Sequence, residues 1–122
     1  MKQKILVVDD EKDILESLQE LLSEEGFEVI LAGTVGEFRK KALKSKPDLI
    51  ILDIMLGQDN ALDAYQELLT VGLDSKIPVL FLTGLLQDRP PSPARPGRSY
   101  ALMGKPFHYE ELMKEIRCLV SV

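Results

Sequence analysis

The chain has 122 residues, 45% of them hydrophobic, which is enough for one core and too short for two. Twenty acidic residues against fifteen basic ones give a net charge of -5, which argues against a general nucleic-acid-binding surface and favours a protein or a cation as partner. A lone cysteine, Cys118, excludes an internal disulfide and a cysteine-rich metal site, and is expected as a small core or half-buried residue.

In chain order, Ile5-Leu6-Val7-Val8 reads as a strand buried on both faces and ends at Asp9-Asp10. Ile14, Leu15, Leu18, Leu21 and Leu22 then lie on one stripe of a helix that Gly26 can terminate. Phe27 to Ala32 forms a second strand. Thr34-Val35-Gly36-Glu37 has the spacing of a capping box, opening a helix that runs to about Lys44. Leu49-Ile50-Ile51-Leu52 is a third buried strand ending in Asp53, and Leu62, Tyr65, Leu68 and Leu69 line a helix that Asp59 or Asn60 can cap. Val79-Leu80-Phe81-Leu82 is the fourth strand, ending at Thr83-Gly84, and Ala101-Leu102-Met103 is a short fifth before Gly104-Lys105-Pro106. The last helix carries Leu112, Met113, Ile116, Leu119 and Val120 on one side.

Strands alternating with helices predict an α/β fold: a doubly wound five-stranded parallel sheet with helices on both faces and right-handed crossovers. Between strands four and five, where a helix belongs, residues 88–98 carry four prolines in seven residues. That density excludes a normal helix, so the fourth helix is expected to be shortened to a turn near Leu85 to Asp88, or missing. The expected organisation is one domain over 1–122 with an irregular, locally basic segment at 88–98. The longest aliphatic runs are far short of a membrane span, and no signal-peptide h-region follows the N-terminus, so a cytoplasmic location is expected.

Residues that follow the strands of a parallel sheet gather on one edge. Here they are Asp9 and Asp10, Asp53, Thr83 and Lys105. Three neighbouring carboxylates repel one another, so either their pKa values rise or a hard divalent cation neutralises them, and Mg²⁺ suits such a site. Asp9 and Asp10 would hold the ion directly or through water, and the main-chain carbonyl of Met55 can supply a further oxygen. Asp53 is then the candidate nucleophile for in-line attack on a phosphoryl group, with Thr83 donating its hydroxyl to a phosphoryl oxygen and Lys105 offsetting the added charge. Taken alone, Asp10 reads better as a helix cap, and Asp53 could be only a turn residue and Lys105-Pro106 only a loop. Their coincidence with Thr83 favours chemistry. His108, the one histidine, is expected to be exposed or a cap, and the Lys40, Lys41, Lys44 and Lys46 cluster to be a solvated helix face.

Val7-Val8-Asp9-Asp10, Leu49 to Met55, Phe81-Leu82-Thr83-Gly84 and Gly104-Lys105-Pro106-Phe107 together resemble the receiver domain of two-component response regulators, over nearly the whole chain. The resemblance implies a flavodoxin-like sheet of order 2-1-3-4-5 and a cis Lys105-Pro106 bond. It further implies a sensor histidine kinase or phosphotransfer protein as phosphodonor to Asp53, with an unknown downstream protein as the receiver of the signal. The chain carries Gly57 and Ala61 where the family usually has Pro and Gly, predicting a looser loop, and Leu102 where an aromatic is common, with Tyr100 two residues earlier. The competing expectations are a phosphorylation-independent interaction adaptor and a small Mg²⁺-dependent phosphohydrolase. The second lacks the Asp-x-Asp nucleophile pattern and any cap.

Overall fold

The computed structural model describes residues 2–84 and 99–120. The strands are β1 (Lys4–Val8), β2 (Glu28–Ala32), β3 (Leu49–Asp53), the two-residue β4 (Met55–Leu56) and β5 (Asp59–Asn60), β6 (Val79–Thr83) and β7 (Tyr100–Gly104). The helices are α1 (Lys12–Glu24), α2 (Val35–Ser45), α3 (Ala61–Thr70) and α4 (Tyr109–Val120). Five strands pair in parallel in the order β2-β1-β3-β6-β7. With the small ribbon of β4 and β5 set aside, that is the expected 2-1-3-4-5 sheet. The proline-rich segment and the turn expected near Leu85 lie outside the described residues.

Alternation along the strands feeds two separate cores. Ile5, Val7, Leu49, Ile51, Leu80 and Leu82 face Leu18 and Leu22 of α1 and Leu112, Met113 and Ile116 of α4. Leu6, Val8, Ile50, Leu52 and Val79 face Phe38 and Ala42 of α2 and Ala64 and Leu68 of α3. Every residue of β3 is buried, as an uninterrupted apolar run at the centre of a two-sided sheet requires.

The helix ends follow local chemistry. Gly26, at φ +94°, closes α1: Phe27 N–H reaches Leu22 O at 3.1 Å and Gly26 N–H reaches Ser23 O at 3.1 Å. Thr34 Oγ1 accepts from Glu37 N–H at 3.1 Å, but the Glu37 carboxylate returns to Gly33 N–H at 3.0 Å, so the capping box is displaced by one residue. Of the two candidate caps of α3, Asn60 is used, accepting from Leu62 N–H at 2.8 Å. Cys118 is exposed, which corrects the expectation of a half-buried thiol. It falls off the Leu112, Met113 and Ile116 stripe that α4 turns to the core.

Candidate functional site

Asp9 follows β1, Asp53 and Thr83 end β3 and β6, and Lys105 follows β7, so parallel pairing alone delivers these side chains to one edge of the sheet. Among the described residues, Asp9, Asp53 and Thr83 are the buried polar or charged side chains, at 0%, 5% and 4% exposure. Burying carboxylates is costly unless they are compensated, so their concentration at a single place marks a site rather than a surface.

Lys105 supplies part of the compensation. Its ammonium lies 2.7 Å from Asp9 Oδ2, 3.0 Å from Asp53 Oδ2 and 3.4 Å from Glu11 Oε1. Burial alone would lower the Lys105 pKa, but the carboxylates of Asp9 and Asp53 outweigh it and hold the ammonium above its ordinary value. At Asp53 burial prevails instead: it raises the pKa, Lys105 pulls it down, and the Asp9 charge pushes it up again, leaving it net raised. The Met55 N–H donates to Asp53 Oδ1 at 3.2 Å. Thr83 is joined to this group through its main chain, whose carbonyl accepts from Lys105 N–H at 2.8 Å. The Lys105-Pro106 bond is cis.

The donor set fits a hard cation. Asp9, Asp10 and Asp53 each present a carboxylate oxygen within 4.8 Å of the others. Asp9 Oδ2 is fully buried, and among the described residues its close partner is the Lys105 ammonium at 2.7 Å. One ammonium therefore serves two buried carboxylates, leaving net negative charge at the site.

Asp10 does not cap α1. The residue at that position is Glu11, which makes no side-chain cap, and Asp9 Oδ1 instead accepts from Glu11 N–H at 2.9 Å. Asp10 Oδ2 accepts from Gly57 N–H at 2.9 Å. Met55 is not a packed side chain; it is 40% exposed, and its main-chain N–H reaches Asp53. Two participants were not foreseen. Glu11 was legible only as the third acid in Asp9-Asp10-Glu11, and Gly57 had no signal as a donor to Asp10. Leu102 pairs with Phe81, while Tyr100 pairs with Val79 at the far end of β6 and is exposed.

A groove of about 590 Å³ opens beside the site, lined by Ile14, Ser17, Leu21, Lys105, Pro106 and Phe107. Another of about 530 Å³, among Pro47, Leu73 and Pro78, holds none of the candidate residues. No helix among the described residues is long and apolar enough to cross a membrane.

The family model described as response regulator receiver domain matches residues 5–117. The alkaline phosphatase synthesis transcriptional regulatory protein PhoP of Bacillus subtilis is 43% identical over 83 residues, covering 68% of this chain and 34% of that protein. Response regulator MprA of Mycobacterium leprae is 32% identical over 117 residues, covering 96% and 50%. The chain thus spans half or less of the length of these curated relatives. Among solved structures, the non-phosphorylated HemR receiver domain from Leptospira biflexa superposes with a TM-score of 0.82 at 28% identity, covering 99% of this chain and 96% of that one. Chemotaxis protein CheY4 of Vibrio cholerae shares the fold, with a TM-score of 0.79 at 24% identity, covering 98% and 99%.

Proposed function

This chain belongs to the response regulator receiver domain family, and from that premise we propose that it is a stoichiometric phosphoacceptor whose acceptor atom is a carboxylate oxygen of Asp53. The phosphodonor would be a sensor histidine kinase or phosphotransfer protein carrying a phosphohistidine. The new Asp53 O–P bond forms as the donor's P–N bond breaks, and the electron pair returns to the imidazole nitrogen. Asp53 enters this reaction as a carboxylate held ready by Met55 N–H and Lys105. Thr83 donates its hydroxyl to a phosphoryl oxygen, and Lys105 exchanges its Asp53 contact for the transferred group.

Asp9, Asp10 and Asp53, with the Met55 carbonyl, would hold Mg²⁺. Bound there, the ion supplies charge neutralisation for the phosphoryl oxygens. The observation that carries the proposal is the pairing of a fully buried Asp9 with Asp53 and Thr83 on one sheet edge. An apolar alternative at these three positions would stabilise the fold better, so the cost points to chemistry. The modified site would change the domain's contacts with a downstream protein.

Intact mass after incubation with acetyl phosphate, with and without Mg²⁺, tests the reading on wild type and Asp53→Asn. The expected result is one phosphoryl adduct that requires both Mg²⁺ and Asp53. A stable adduct at the same site in the Asn variant would sink the assignment of Asp53, and no adduct in a wild type that also fails to bind Mg²⁺ would replace it with the adaptor reading.

A further inference from the structure

The segment between β3 and α3 is tied to the site by one hydrogen bond that the phosphoacceptor chemistry does not use. Its two ends are joined: Ala61 N–H donates to Ile54 O at 2.7 Å, and Ile54 N–H donates to Leu82 O at 3.0 Å. Between them Met55 pairs with Asn60 and Leu56 with Asp59, and Leu56 is buried at 4% exposure. The loop that sequence suggested would be loose is therefore a closed ribbon.

At its tip Gly57 has φ +62° and donates its N–H to Asp10 Oδ2 at 2.9 Å. A Cβ there would meet nothing within 4 Å, so it is the backbone conformation, not space, that favours glycine. Asp10 is exposed, and among the described residues the Gly57 amide is the donor its side chain accepts from, so this main-chain group is what orients it. A carboxylate has about four acceptor positions, so one N–H on Oδ2 leaves ample capacity for a cation.

We propose that the Gly57 amide is a positioning group for the cation site: it fixes the Asp10 carboxylate in its stance as a ligand, so that ion binding and the 55–60 ribbon form one coupled unit. The inference rests on the reading of Asp9, Asp10 and Asp53 as the Mg²⁺ ligands. Partners that orient a metal ligand are commonly worth about 10- to 100-fold in metal affinity. Coupling is reciprocal, so Mg²⁺ must in turn protect the Gly57 amide from solvent exchange.

The test is a Mg²⁺ titration of the ¹⁵N-labelled chain, followed by amide shifts, on wild type, Gly57→Pro and Gly57→Asn. Proline, the residue the family usually has here, removes the N–H and also forces φ to about −65°, whereas asparagine keeps the N–H and tolerates positive φ, so a loss with proline is assigned to the amide only together with the Asp10→Ala result below. Gly57→Pro is expected to weaken Mg²⁺ binding by about 10-fold or more, with Gly57→Asn within about 3-fold of wild type. Independently of metal, Asp10→Ala is expected to move the Gly57 amide proton upfield and speed its exchange. That second measurement decides the matter if the proline variant does not fold. Equal affinity in wild type and Gly57→Pro, equal loss in both variants, or a Gly57 amide indifferent to Asp10→Ala overturns the inference while leaving the cation site intact. A wild type with no Mg²⁺ response overturns both.

Discussion

Asp53→Asn should make the metal-free domain more stable, because the native environment penalises the Asp53 charge. Its pKa is raised in the fold by burial first and by Asp9 besides, against the pull of Lys105. The sign follows by linkage. Below the ordinary carboxylate range of about 3.9 the residue is neutral whether folded or not, so the substitution changes little. As pH rises from there through the raised folded value, wild type loses stability that the Asn variant keeps. Relief of a functional strain of this kind typically returns about 1 kcal/mol. For 122 residues the unfolding entropy is about 0.26 kcal/mol/K, so the midpoint should rise by about 4 °C. Mg²⁺ reverses the order: at about one hundred times its Kd it adds about 2.7 kcal/mol to wild type, near 10 °C, and less to a variant missing one ligand. Thermal unfolding by circular dichroism at pH 3.5 and 7, with EDTA or Mg²⁺, reads all four cells. A metal-free variant less stable than wild type at pH 7 would show that the Lys105 ion pair outweighs burial and refute the reasoning.

Lys105→Ala removes the ammonium from two buried carboxylates, and uncompensated charge of this kind costs about 3 kcal/mol, or about 12 °C in midpoint, part of which Mg²⁺ should restore; a loss under about 1 kcal/mol in EDTA would argue against a buried ion pair. Asn60→Ala deletes the side-chain cap of α3 and should cost about 1 kcal/mol in urea unfolding.

The site was legible because its logic is topological. Runs such as Leu49 to Leu52 identify central parallel strands, and once the strands are parallel, whatever follows them must meet at one edge. Thr34 and Gly26 were equally readable, since capping and positive φ are local demands. The ribbon of β4 and β5 was not, because two-residue strands are too short to show a period. The choice of Asn60 over Asp59 depends on where that ribbon ends. Glu11 resembles any solvated acid until Lys105, 94 positions later, comes within reach. Cys118 could have been placed outside from its offset to the α4 stripe.

The closed ribbon between Ile54 and Ala61 also makes the domain easy to instrument. Gln58 is exposed at its tip, next to the Gly57 donor, and the stitched ends insulate β3 and α3 from whatever is attached there. A dye on Gln58→Cys, in a background where the exposed Cys118 is replaced by Ser, would sit one residue from the cation ligand's partner and outside both cores. The fold thus provides its own mounting point for an optical sensor of site occupancy.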